Sequence, residues 1–203
     1  MYIDFKKTFF EQICFSHHQI ELVFPKFDKK NLSRWQKKEY IVKLRNGLYT
    51  FPEYVNQNGF NLYAANRIYQ PSYISLHYVL NFYGIIPEVI NSVTSISTLK
   101  SKQFNNSIGK FSFQTVQPKM FFGYEIKRTN SFDFQMACPE KALIDIFYLY
   151  PMYNTAKEIE QLRFDDSVLK EIVNLKKMNN FLKRIKNETL NYKVELMKKV
   201  YEL

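Results

Sequence analysis

Asp28-Lys29-Lys30-Asn31-Leu32-Ser33-Arg34-Trp35-Gln36-Lys37-Lys38-Glu39-Tyr40-Ile41-Val42-Lys43-Leu44-Arg45-Asn46-Gly47-Leu48-Tyr49-Thr50-Phe51 is the stretch that decides the fold. Its first half predicts a helix over 29–38, with Asp28 as the N-terminal cap. At about 100° per residue, Leu32 and Trp35 lie about 60° apart. Lys30, Arg34 and Lys37 gather on roughly the opposite side, with Ser33 and Lys29 at the margin. One face can therefore enter a core while the other presents cations and a hydroxyl. The second half places Asn46-Gly47 between two β-branched and aromatic runs. That pattern predicts a hairpin, with a type I′ turn that needs φ > 0 at both turn residues.

Upstream, Phe5, Phe9, Phe10 and Ile13 share one face of a first helix over about 4–14. Ser16 can cap a second helix that carries Ile20 and Phe24 and stops at Pro25. Helix, helix, basic helix, hairpin is the order of a winged helix-turn-helix, whose third helix lies in the major groove. Residues 26–45 concentrate eight basic side chains against Asp28 and Glu39, a net +6. Lys30, Ser33, Arg34 and Lys37 are expected in the major groove, and Lys29, at the margin of the helix, is also expected to contact DNA. Lys43, Arg45 and Asn46 are expected on the backbone or in the minor groove. The same residues also suit a small helical subdomain with a solvated basic face.

The whole chain has 203 residues, with 29 Lys+Arg against 19 Asp+Glu, a net charge of +10 that favours a polyanionic partner. A hydrophobic share of 46% excludes a largely disordered chain. No apolar run approaches a membrane span, and the N-terminus lacks the apolar core of a signal peptide. Two cysteines, Cys14 and Cys138, do not make a disulfide framework, so a reducing, cytoplasmic setting is expected.

Gln57-Asn58-Gly59 reads as a linker, dividing the chain into 1–58 and 59–203. The second part is expected to be a mixed domain with a small antiparallel sheet and several helices, giving an α+β protein. Residues 61–69 look helical. Ser72 or Ser75 would cap a helix running to Gly84. Strands are expected over 93–98, 111–116, 121–127 and 132–137, and Pro139 opens a helix with Ala142, Leu143, Ile146 and Phe147 on its apolar face. The tail, 155–203, reads as amphipathic helices interrupted near Asn179-Asn180 and packed against the sheet. Lys170, Lys177 and Arg184 recur on another face, where they could meet phosphate or a protein.

The middle of the chain resembles the AbiEi-type antitoxins of abortive-infection, type IV toxin–antitoxin systems. The resemblance rests on Tyr69-Gln70-Pro71-Ser72-Tyr73-Ile74-Ser75-Leu76 with Leu80 and Tyr83-Gly84-Ile85-Ile86-Pro87-Glu88. It is extended by Arg45-Asn46-Gly47-Leu48-Tyr49, Phe121-Phe122-Gly123-Tyr124 and Ala137-Cys138-Pro139-Glu140-Lys141-Ala142-Leu143-Ile144-Asp145, in the family's order. It covers about residues 1–150. It implies an N-terminal winged helix that binds inverted repeats in the promoter DNA of its own operon and represses it. It also implies a C-terminal region that counteracts a nucleotidyltransferase-like toxin without a stable complex. Two rival readings stay open. One is a winged-helix regulator with no toxin partner. The other is a nucleic-acid-processing enzyme using Glu140, Lys141 and Asp145, since carboxylates with a lysine occur in metal-dependent nucleases.

Against the enzyme, Glu140 in a first helical turn is favoured by the dipole, and Lys141 and Asp145 can pair across one turn. His17 and His18 are adjacent and point about 100° apart on a helix, so they cannot share a metal as i,i+4 histidines can. His77 is isolated. No Gly-rich phosphate loop or nucleophile elbow is present, and no cofactor or metal is expected. Tyr73, Tyr78, Phe82 and Tyr83 could stack bases, but fit a core better.

Overall fold

The computed structural model describes residues 1–203. The chain opens with α1 (Tyr2–Phe9) and a 3₁₀ turn (Phe10–Gln12), then β1 (Cys14–Ser16), α2 (His17–Val23), α3 (Lys30–Lys37), β2 (Val42–Arg45) and β3 (Leu48–Thr50). The first helix is shorter than expected. Ile13 takes φ +62°, which stops the helical path and turns Cys14 and Phe15 into a strand. That strand pairs antiparallel with β3, and β3 with β2, giving the order β1-β3-β2. Ser16 caps α2 as expected: its side chain and that of Gln19 form a reciprocal capping box.

The ends of α3 follow from two local devices. Asp28 Oδ1 accepts the Lys30 N–H at 2.9 Å. At the other end Glu39 adopts φ +57°, the Tyr40 N–H reaches the Trp35 carbonyl at 2.9 Å, and the Glu39 N–H reaches that of Gln36 at 3.0 Å. These are the paired bonds of a Schellman stop, made here without glycine. Tyr40 then stacks on Tyr2, with centroids 4.7 Å apart, and the Tyr2 hydroxyl donates to its carbonyl at 2.9 Å. The helix end is thereby fixed to α1.

The hairpin forms where expected, with a different turn. Gly47 has φ +73°, but Asn46 is not in the positive region, so the type I′ geometry is not adopted. Lys43 faces Tyr49 and Arg45 faces Leu48, leaving Leu44 as a bulge. A bulge adds local twist, which relieves the turn of supplying it.

The chain continues through α4 (Pro52–Val55), α5 (Phe60–Ile68), β4 (Ser72–Ile74), α6 (His77–Phe82), β5 (Ser92–Ser97), β6 (Lys102–Asn106), β7 (Gly109–Thr115), a 3₁₀ turn (Pro118–Met120), β8 (Tyr124–Arg128) and β9 (Asp133–Ala137). The sheet is larger than expected and not purely antiparallel. Six strands run in the order β6-β7-β5-β4-β9-β8, with the β5–β7 and β4–β9 pairs parallel. Neither Ser72 nor Ser75 caps a helix: Ser72 begins β4, and α6 starts after Leu76, at φ +63°. The last part holds α7 (Pro139–Leu149), α8 (Ala156–Glu160), α9 (Asp166–Ile172), α10 (Leu175–Ile185) and α11 (Glu188–Val200). Helix α10 runs unbroken through Asn179-Asn180. The break lies at Val173-Asn174, where the Asn174 side chain caps α10 through the Lys177 N–H. Helices α10 and α11 pack on α7 rather than on the sheet.

The protein is thus α+β, with two apolar clusters. One gathers Phe5, Phe9, Phe15, Ile20, Leu32, Trp35, Ile41, Tyr49 and Phe51. Phe5 sits at its centre, with Phe9, Phe15 and Trp35 rings at 4.9, 5.3 and 4.7 Å. The other, far larger, fills the space around the six-stranded sheet and takes Cys14, Leu44 and Leu48 from the first small sheet. One buried cation finishes this core. Lys193 on α11 sends Nζ to the carbonyls of Phe147, Tyr150 and Pro151 at 3.2–3.3 Å, closing the C-terminal end of α7. Replacing it with methionine keeps the stem but leaves those carbonyls dry. Lys193→Met is expected to cost about 1–3 kcal/mol, read as a fall in Tm of roughly 2–4 °C per kcal/mol. An unchanged melt would show that water already serves the carbonyls.

Candidate nucleic-acid interface

Helix α3 turns Leu32 and Trp35 into the aromatic cluster and leaves Lys30, Ser33, Arg34 and Lys37 exposed. No carboxylate lies within ion-pair distance of Lys30, Arg34 or Lys37. Lys29 differs: its Nζ lies 2.8 Å from Glu21 on α2, and that ammonium holds the Glu21 carboxyl below its ordinary value. The four side chains expected in the groove are free, and the marginal one, Lys29, is already neutralised. Lys26 and Lys38, not singled out from sequence, are also exposed and unpaired, flanking α3. A helix with its side chains is about 10–12 Å across, which the roughly 12 Å width of the major groove admits.

Lys43, Arg45 and Asn46 are exposed on β2 and its turn. Arg45 Nη1 donates to the Asn46 carbonyl at 3.0 Å, which steadies the guanidinium at the tip. The turn itself is held to α2 because the His17 N–H donates to the Gly47 carbonyl at 2.9 Å. Behind the hairpin, Asn106 Nδ2 donates to the Leu44 carbonyl at 2.8 Å and joins β2 to the β6–β7 turn. Between these elements runs an open groove of about 930 Å³, lined by Lys43, Arg45, Arg67 and Lys102 and by no acidic side chain. Sequence reading had no signal for Arg67 or Lys102, because only the tertiary fold brings α5 and β6 beside the hairpin.

The residues of the enzyme reading lie elsewhere. Lys141 and Asp145 on α7 are fully buried. Lys141 Nζ contacts Asp145 Oδ1 and donates to the Tyr73 hydroxyl at 2.8 Å. Tyr73 and Ser75 in turn donate to Asp145 Oδ2 at 3.0 and 2.8 Å. Burial pushes the Asp145 carboxyl up, opposed by the Lys141 ammonium and the two hydroxyl donors. Gly123, at φ +75°, lies close over Lys141, and a Cβ there would meet its stem at 3.0–3.2 Å. Tyr124 stacks on Tyr73 at 4.8 Å. Three of the motifs that carry the family resemblance therefore converge on one closed polar centre, with no atom of Lys141 or Asp145 open to a substrate. Glu140 is also buried. Its Oε1 accepts the Asn174 N–H at 2.8 Å and its Oε2 lies 3.6 Å from Lys177 Nζ, so it fastens the start of α10.

The remaining candidates disperse. Tyr73 is core, Tyr78 and Tyr83 are half-buried, and Phe82 is exposed, so they form no stacking stripe. On the tail, Lys177 pairs with Glu125 and Arg184 lies 4.0 Å over the Phe122 ring, so no continuous cationic strip forms with Lys170. No group of three or more His, Cys, Asp or Glu side chains converges on a point. His77 is half-buried, which lowers its pKa, and its ring meets Tyr150 edge-on at 5.5 Å. No helix is long and apolar enough to cross a membrane.

Both thiols are free and buried, and burial pushes Cys14 up to about 12 and Cys138 up to about 11. Because the thiolate is the nucleophile, neither cysteine is expected to react with a thiol probe at pH 8 until the protein unfolds. Two equivalents should then be titrated in denaturant. Rapid labelling of the native chain would contradict the packing around them.

The chain matches no protein-family model and no curated protein sequence.

Proposed function

We propose that this protein is a winged-helix DNA-binding antitoxin that represses its own operon. The observation that carries the DNA half is the pairing of α3, with Lys30, Ser33, Arg34 and Lys37 exposed and unpaired, with a cationic hairpin tip bearing Lys43 and Arg45. Three helices and a three-stranded antiparallel sheet supply the frame in which such a third helix enters a major groove. Phosphate contacts from the hairpin would set the register, and the α3 side chains would read base edges. The expected ligand is promoter DNA carrying inverted repeats.

The antitoxin half rests on the resemblance to the AbiEi-type proteins. The functional partner is then a nucleotidyltransferase-like toxin, opposed without a stable complex, and the role is non-enzymatic and cytoplasmic. Two experiments test the halves separately. Gel shift with the DNA upstream of the gene, at two salt concentrations, should show binding tighter than to random duplex. Equal binding to both would sink the repressor. Co-expression with a nucleotidyltransferase-like neighbouring gene should restore growth, and failure to do so would leave a regulator without a toxin.

A further inference from the structure

We propose that the groove between the β2–β3 hairpin and the edge strand β6 binds single-stranded nucleic acid. This rests on the nucleic-acid reading above and adds a second surface to it: Lys43 and Arg45 are shared with that reading, whereas Arg67 and Lys102 belong to the groove alone. The groove's four cations, Lys43, Arg45, Arg67 and Lys102, have no carboxylate partner within ion-pair distance, and no acidic side chain lines it. Arg67 is the most telling. Its Nε is buried and makes no hydrogen bond, although buried donors are nearly always satisfied. The terminal nitrogens of Arg67 also have no protein partner, and a phosphate oxygen in the groove would meet them in the charge-assisted geometry that guanidinium favours.

The rest of the lining suits bases rather than phosphate alone. Tyr69 and Phe104 are half-buried rings 5.8 Å apart, and Tyr69 is steadied by its hydroxyl bond to the Lys100 carbonyl at 2.8 Å. Lys102 Nζ lies 5.2 Å from the Phe104 centroid, so cation and ring are presented together. The amide residues Gln103 and Asn105 also line the groove, and amides can hydrogen-bond base edges. Strand β6 is also a sheet edge, bonded only to β7, so its outer backbone groups are open. Cations for the phosphates, rings for stacking and free polar edges are the parts that bind a single strand. The cleft volume, about 930 Å³, is at the upper end of the roughly 300–1,000 Å³ of ligand sites. Such a concave site admits a strand with splayed bases, whereas a duplex would be held on the convex face of α3.

The test is fluorescence anisotropy on the full chain with a labelled mixed-sequence oligonucleotide, as RNA and as DNA, beside the upstream duplex. Arg67→Ala/Lys102→Ala should weaken single-strand binding at least tenfold and leave duplex binding intact. With two phosphates no longer neutralised, the salt slope for the single strand should flatten by roughly 1.4. Lys102→Glu, a change at an exposed position, should show the same direction if the double variant fails to fold. Arg34→Ala/Lys37→Ala should show the opposite pattern, so failure of the groove and failure of the α3 reading are separable. Absence of single-strand binding, loss confined to duplex, or competition by a free mononucleotide as strong as by the oligonucleotide would each overturn the proposal.

Discussion

Asp145→Asn is expected to lower the free energy of unfolding by about 3–5 kcal/mol, the usual cost of removing one partner from a buried ion pair. The substitution nearly preserves shape. It removes the charge that the fully buried Lys141 ammonium faces. It also removes half of the acceptor capacity, since Tyr73 and Ser75 both donate to the carboxylate. Lys141 would be left with one good partner, the Tyr73 hydroxyl. An ammonium so placed is left as an uncompensated charge in a site closed to solvent. Urea denaturation should show the midpoint falling with little change in slope. Lys141→Met should also destabilise, because Asp145 would then lose its counter-charge in the same dry setting. The double change Lys141→Met/Asp145→Leu should cost less than the two single costs added together, since it leaves no stranded charge. A loss below about 1 kcal/mol for Asp145→Asn would mean that the pair is already neutral or hydrated. The same substitution separates the scaffold role from catalysis: a scaffold variant loses stability, whereas a catalytic variant would lose metal-dependent cleavage of nucleic acid at unchanged stability.

Elements whose pattern is long enough to repeat were legible in the sequence. Helix α3 shows two apolar residues and three cations across about two turns, and α7 opens on a proline and continues with a broad apolar face. Short elements were not legible. Strands β1 and β4 have three residues each, too few for any period, and both are defined by their partners: Cys14–Ser16 by β3, Ser72–Ile74 by β5 and β9. Strand β6, Lys-Gln-Phe-Asn-Asn, carries one apolar side chain and gives no strand signal, yet it pairs along its length with β7. The end of α3 was placed to within a residue, but the device that makes it was not legible, because Glu39, not glycine, takes the left-handed position. In the candidate site the contributions of α3 and the hairpin could be read, because they are contiguous in sequence. The neutralisation of Lys29 by Glu21, and the arrival of Arg67 and Lys102 beside the hairpin, are tertiary events with no local signature. The i,i+4 spacing of Lys141 and Asp145 suggested a pair, but not that two hydroxyls from β4 and its exit would complete a closed network.

Arg34→Ala/Lys37→Ala is expected to remove specific promoter binding. If both side chains reach base edges, removing each one costs about 1–3 kcal/mol. Two independent removals therefore amount to about 2–6 kcal/mol, or roughly thirtyfold to more than ten-thousandfold in Kd. If instead both reach only phosphate, binding to every duplex should fall together and the salt slope should flatten by about 1.8. The two cases are told apart by measuring upstream and random duplex side by side. Folding is not at issue, because Arg34 and Lys37 are exposed, have no carboxylate partner and lie opposite Leu32 and Trp35. The thermal melt of the variant should therefore match that of the parent chain. Lys29→Ala supplies the internal comparison. Its ammonium is engaged by Glu21 at 2.8 Å, so DNA would have to displace that partner before gaining a contact. Its effect should accordingly be smaller than that of either Arg34→Ala or Lys37→Ala. Glu21→Gln should free Lys29 and tighten binding slightly at low salt. An ordering in which Lys29→Ala costs more than Arg34→Ala would place the duplex on the α2 side of the helix and contradict the docking through the free face of α3. Unchanged binding in the double variant would remove α3 from the interface altogether.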